Sequence, residues 1–135
     1  MDFQINYFAT ALAAFTYMGI GALWFSKALF GVPWAKEVGK NISDLKISNN
    51  KKGLIFPAIG SASGAYFLSV LVKSTGIEGV QMSVMLGLIV GIAFIGTALM
   101  SNYYFMGRTK RHFVIDTGYH VVAFVIMGVI IGLFN

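Results

Sequence analysis

The stretch Asn102-Tyr-Tyr-Phe-Met-Gly-Arg-Thr-Lys-Arg-His-Phe-Val-Ile-Asp-Thr-Gly-Tyr-His120 decides how this chain is arranged. It closes one long apolar segment, turns through a tight basic loop at residues 106–112, and opens a second apolar segment carrying Asp116 and His120. A short cationic turn between two apolar runs is the pattern of a helical hairpin that crosses a bilayer twice, because a helix satisfies its backbone polar groups without help from water.

The composition excludes a water-soluble domain. Of 135 residues, 57% are hydrophobic and 11% charged, with a mean hydropathy of +0.76. Soluble domains run at roughly 45–50% apolar and about 25% charged, and a chain this short has too much surface to hide so little charge. There are no cysteines, which removes disulfides, thiolate metal sites and cysteine redox chemistry together.

Working outward from the turn, the apolar segments cover about 80–105 and 113–134, and two more precede them at about 5–25 and 54–72. Each is near or above the roughly 20 residues that a helix needs to cross a ~30 Å hydrocarbon core. The expected fold class is therefore all-α: a polytopic membrane protein, one domain, four transmembrane helices in a bundle. The 80–105 segment exceeds the need and implies tilt or extension past the bilayer. A cleaved leader competes for the first segment, but the start Met-Asp-Phe-Gln lacks a positive n-region and no small-residue cleavage site follows. Trp24, at the end of that segment, reads as an interfacial anchor.

Residues 26–53 form the longest polar connection, with Lys27, Lys36, Lys40, Lys46, Lys51 and Lys52 opposed only by Glu37 and Asp44. Pro33 suits a first helical position. Trp34 and Val38 share a helical face, as do Lys36 and Lys40. These spacings predict a short amphipathic helix in the membrane surface, anchored by Trp34; an irregular loop with a buried Trp is the alternative. With four crossings, this loop and the 106–112 loop lie on one side and hold nine of the ten Lys and Arg, leaving Lys73 opposite. The positive-inside rule places both loops in the cytoplasm of a plasma (inner) membrane protein and both termini outside. The net charge of +5 then faces anionic lipid headgroups, so the bilayer is the expected partner and nucleic acid is not.

Glycines are dense in the apolar segments. Gly60–Gly64, Gly87–Gly91 and Gly128–Gly132 are each spaced four apart, a surface that allows helices to approach closely. The expectation is a tightly packed bundle that also forms a homo-oligomer, since four helices alone leave little room for a pathway.

Asp116 and His120 lie four apart on one face of the last helix, about 6 Å apart along its axis. With the turn centred near Thr109, Asn102 and Asp116 fall at equal depth in antiparallel helices. Ala98 and Gly91 share the Asn102 face, which points that face inward. An inward cluster of Asn102, Tyr103, Asp116, Tyr119 and His120 is thus expected in the cytoplasmic half. An ionised carboxylate in hydrocarbon costs several kcal/mol, so Asp116 pairs, faces a wet cavity or takes up a proton. Two readings stay open: a folding clamp, favoured by a depth of only a turn or so below the interface, or a site for a proton, an ion or a headgroup. His112 reads as interfacial, and its eight-residue separation from His120 is not a metal-ligand spacing. No nucleophile motif, phosphate-binding glycine loop or cofactor motif is present, so an intramembrane enzyme has little support and no cofactor is expected.

Two blocks resemble the bacterial family called domain of unknown function 1761. Gly21-Ala-Leu-Trp-Phe-Ser-Lys-Ala-Leu-Phe-Gly-Val-Pro-Trp34 is similar to the end of that family's first helix. Asn102–Arg108, Asp116-Thr-Gly-Tyr-His120 and Met127-Gly-Val-Ile-Ile-Gly-Leu133 resemble its C-terminal half, the Asp-x-Gly-Tyr-His run being the most specific part. Phe25 and Lys27 stand where Tyr and Pro are expected. The resemblance covers nearly the whole chain and implies a small inner-membrane protein of four helices, with no activity attached. Together these readings lead to a non-enzymatic membrane protein that binds or passes a small solute, a proton or a lipid near Asp116 and His120. The alternative is a structural or interaction subunit whose polar cluster only holds the bundle.

Overall fold

Four long helices form because four runs of the chain are apolar enough to be stable only as helices in hydrocarbon. The computed structural model describes residues 4–45, 51–76 and 78–134. Lys46, the Met-Asp-Phe start and residue 77 of the 73–79 turn, which entered the charge, leader and boundary readings, lie outside them. The helices are α1 (Tyr7–Trp24), α2 (Gly31–Glu37), α3 (Ile55–Ser74), α4 (Val80–Ile89), α5 (Thr97–Phe105) and α6 (Lys110–Leu133). Between α4 and α5 the helix continues as a π-helical segment, Val90–Gly96, so 80–105 forms one interrupted span. All four spans are long and apolar enough to cross a membrane. The protein is an all-helical, multi-pass membrane bundle with one additional short helix.

Helix α6 is the hub. It packs most extensively on α4 and next on α1, and α1 packs on α3. The α3–α4 side is the weakest seam of the ring. Small residues explain the tight pairs. A methyl group on Gly128 would stand 2.9 Å from the Ser83 carbonyl carbon and 3.0 Å from Val84 Cα. One on Gly91 would stand 2.8 Å from Val121 Cα, and one on Gly132 2.7 Å from Val80 Cα. Gly87 meets the Phe124 backbone in the same way. Without a hydrophobic drive between helices in lipid, such close approach is the main source of association. Away from the basic loops the core is apolar, built from Ala13, Ala65, Leu68, Val72, Phe124, Met127 and Ile131. A buried Thr10–Ser69 hydrogen bond of 2.8 Å ties α1 to α3 there. Asn6 caps α1 through Ala9 N–H and donates from Nδ2 to the Phe134 carbonyl, joining the two ends of the chain.

The expected short helix is present as α2. It folds back beneath α6 because Gly31 N–H reaches the Ser26 carbonyl at 2.9 Å, a turn in which a side chain at Gly31 would strike the Phe25 and Ser26 carbonyl oxygens. Pro33 takes the third position of the helix, not the first. Helix α6 begins at Lys110, three residues before the expected boundary, because Thr109 caps it by accepting from His112 N–H at 3.1 Å.

The π segment changes what faces inward. Gly91 and Gly96, five apart, both press on α6, against Val121 and Thr117. A continuous α-helix would have turned residue 95 to that side. The extra residue rotates everything after it by about 100°. Ala98, Ser101 and Asn102 are exposed in consequence, and α5 contributes no buried residue. The expectation that Asn102 shares an inward face with Gly91 and Ala98 is corrected here.

Candidate functional site

The polar residues of the last helix separate into two neighbouring groups. The first surrounds Asp116. Tyr103 takes the place expected of Asn102 and donates its hydroxyl to Asp116 Oδ2. His112 Nε2 stands 3.4 Å from the same oxygen, one turn back on α6. His112, in the first turn of α6, is only 4% exposed. It packs edge-on to Tyr103 at 4.9 Å between ring centroids and to Trp34 at 6.4 Å. Helix α2 is thereby laid against the start of α6, and Thr109 Oγ1 donates to Glu37 Oε2 at 2.6 Å to fasten its other end. Trp34 Nε1, His112 Nδ1, Asp116 Oδ1 and Thr117 Oγ1 are buried with no hydrogen-bond partner among the described residues.

The second group surrounds His120. Its Nδ1 lies 2.6 Å from the Tyr17 hydroxyl of α1. Tyr119 packs edge-to-face on Tyr17 at 5.2 Å and on Phe25 at 5.2 Å, and Tyr17 meets Phe124 at 5.8 Å. The Tyr119 hydroxyl lies against Gly21, where any side chain would collide with it at 2.9 Å. This aromatic wall faces a cavity of about 910 Å³ between α1, the first half of α3, the π segment and α6. Leu54, just before α3, and Pro57, Gly60 and Ser61 within it line one side, and Ile95 lines it from the π segment. The volume is at the upper end of the ~300–1,000 Å³ typical of small-molecule sites. From Tyr17 at its deep end to Phe25 at its shallow end the cavity runs about 12 Å along α1. The shallow end lies where α1 stops and α3 starts, beside the basic loops.

Trp24 and Trp34, expected as interfacial anchors, both make contacts inside the protein. Trp24 Nε1 donates to the Ile115 carbonyl at 3.0 Å and its ring covers Gly118, tying α1 to α6. Trp34 rests on Phe25 and His112. The glycine pairs also divide. Gly87, Gly91, Gly128 and Gly132 lie at backbone contacts of α6, Gly64 faces only the Phe124 ring, and Gly60 meets nothing within 4 Å.

Of the expected cluster, the structure brings Tyr103 to Asp116 and Tyr119 to His120, and leaves Asn102 outside. Two residues were missed. His112 carries a readable signal, since it precedes Asp116 by the same four positions by which His120 follows it. Tyr17 carries none, being one aromatic among many in an apolar helix and 103 positions from His120.

Chemically, the Asp116 carboxylate joins α5 to α6, and the His112 ring beside it carries the contact on to Trp34 of α2. The His120 group offers a polar spot on an otherwise apolar wall, with Nε2 the ring atom left over once Nδ1 is engaged by Tyr17. No curated protein and no solved structure is similar enough to match the chain. A family match covers residues 8–132. The four helices and the polar residues of α6 all lie essentially within that span, and the chain belongs to the family described as Protein of unknown function (DUF1761).

Proposed function

We propose that the protein is a binding protein of the plasma membrane that holds one largely apolar small molecule in the α1/α3/α6 cavity. The observation that carries this reading is the asymmetry of the bundle. One half contains a cavity of about 910 Å³ with an aromatic and histidine wall, and the other half is packed round Leu68, Val72, Met127 and Ile131, with only a smaller apolar groove of about 390 Å³ beside Gly64 and Phe94. A solute can be received at one end but has no polar route onward, which favours binding over conduction. His120, Tyr17 and Tyr119 supply the few fixed polar groups that orient a ligand in such a site. Asp116, held by Tyr103 and His112, serves as the clamp of α2, α5 and α6. The charge asymmetry of the loops supports cytoplasmic 26–53 and 106–112 loops with both termini outside, so the cavity opens toward the cytoplasmic leaflet.

The test is Gly60→Leu. A side chain there enters open space, adds bulk at a cavity-lining position and improves helix propensity. Native mass spectrometry of protein released from membranes should show a discrete bound mass in wild type that Gly60→Leu lacks, with unchanged thermal unfolding. No adduct in wild type, or the same adduct in both, refutes the proposal.

A second reading rests on Asn102. Its amide is exposed on a membrane-spanning helix with no buried residue of its own, and polar side chains so placed hydrogen-bond across helices. We propose that α5 is the face on which copies of the chain associate. Asn102→Leu should then shift the protein toward monomer in detergent without altering its unfolding; an unchanged oligomer distribution rules the reading out.

A further inference from the structure

The cavity reading can be carried to the chemistry of its occupant, and this step rests on that reading. The lining is apolar and aromatic along about 12 Å of α1, the shape of a slot for a hydrocarbon chain. Its deep end stops at the Tyr17–His120 pair and the Phe124 ring. Its shallow end is formed by Phe25 and Leu54. Two residues beyond each of these stands an exposed lysine, Lys27 after Phe25 and Lys52 before Leu54. Neither lysine forms an ion pair among the described residues. Glu37, an acidic residue of the same loop, is already engaged by Thr109. The two chain segments that frame the mouth each carry a cation two residues from a lining side chain, and the lining is apolar apart from the polar atoms of Tyr17, Ser61, Tyr119 and His120.

We infer that the site takes an acyl chain ending in an anionic headgroup, with the chain inside and the headgroup between Lys27 and Lys52. A neutral chain would gain the same apolar burial but nothing from the lysines. A cationic amphiphile would be repelled at the mouth. Basic residues at a membrane surface favour anionic lipids individually, and two of them acting on one headgroup should give a preference of roughly thirtyfold. The shared chemistry admits two sources: a free fatty acid, or an anionic phospholipid that inserts one of its chains.

The experiment compares four probes on the purified full chain in neutral detergent: oleate, methyl oleate, dioleoylphosphatidylglycerol and dioleoylphosphatidylcholine. Retention is read by native mass spectrometry for wild type, Lys27→Glu/Lys52→Glu and Gly60→Leu. The expected result is that wild type retains an anionic probe roughly thirtyfold better than its uncharged or zwitterionic counterpart, and that the double charge reversal abolishes this preference while methyl oleate is still retained. Oleate above phosphatidylglycerol identifies a free fatty acid, and the reverse order a phospholipid. Equal retention of charged and uncharged probes by wild type, or a preference that survives charge reversal, overturns the anionic assignment and leaves the cavity reading standing. No retention of any probe, or identical retention by Gly60→Leu, overturns both. Both lysines are exposed and neither side chain forms a hydrogen bond or ion pair among the described residues, so the double variant removes no such contact.

Discussion

Replacing Gly128 with alanine isolates the force that holds α4 to α6. The added methyl would sit 2.9 Å from the Ser83 carbonyl carbon, closer still to its oxygen, and 3.0 Å from Val84 Cα. Ordinary contact begins near 3.4 Å. These are backbone atoms of a helix, so no rotamer change relieves the overlap and the two helices must part by about 0.5–1 Å. A gap of that size forfeits roughly a quarter to a half of each dispersion contact at the crossing. Over an interface with at least the ~40–60 atom contacts of one buried leucine, this comes to about 2–3 kcal/mol, in line with the cost of overpacking elsewhere. Gly60→Ala is the internal control. It occupies the same motif in α3 but meets open space, so it should be neutral or stabilising by up to about 1 kcal/mol. The assay is reversible unfolding in mixed micelles with increasing SDS, followed by far-UV circular dichroism. Gly87→Ala, which strikes the Phe124 backbone on the same crossing, should cost a similar amount. The double variant should cost well under the sum, because helices already parted admit the second methyl cheaply. The reasoning fails if Gly128→Ala and Gly60→Ala unfold within about 0.5 kcal/mol of each other, or if the two α4–α6 substitutions add fully.

Other outcomes follow from the polar groups. Asp116→Asn weakens the acceptor shared by Tyr103 and His112 and should lower stability by about 1–3 kcal/mol while leaving any cavity adduct in place; loss of the adduct with normal stability would reverse the division of roles argued above. Tyr103→Phe should cost about 1–2 kcal/mol through the same carboxylate, whereas Asn102→Leu should change unfolding by less than about 0.5 kcal/mol. The opposite ranking in parallel denaturation curves would show that the π segment does not set the inward face. Thr109→Ala removes both the α6 cap and the bond to Glu37, at a cost of about 1 kcal/mol. Hydrogen exchange should rise over residues 31–37 in this variant, and unchanged protection there would mean that α2 is held by Trp34 alone.

Whatever belongs to a single segment was legible in the chain alone. Four spans, a basic hairpin turn and a short helix at Pro33–Trp34 are properties of local hydropathy, charge and spacing, and the structure has each of them. Asp116 and His120 stood out for the same reason, as ionisable groups in an apolar run. Features that depend on residues far apart in the chain left no such trace. The inward face of α5 could not be read by projecting an α-helical period back from Asn102, because the π segment at Val90–Gly96 adds one residue and hands the contact with Asp116 to Tyr103. Gly60 and Gly128 look alike in sequence, yet one faces open space and the other a neighbouring backbone, since a glycine's role is set by what stands opposite. The cavity belongs to no single segment. It exists because the start of α3 leaves space against α1 and α6 at one end while Leu68, Val72, Met127 and Ile131 pack the other, and a void between helices leaves no mark on any one of them.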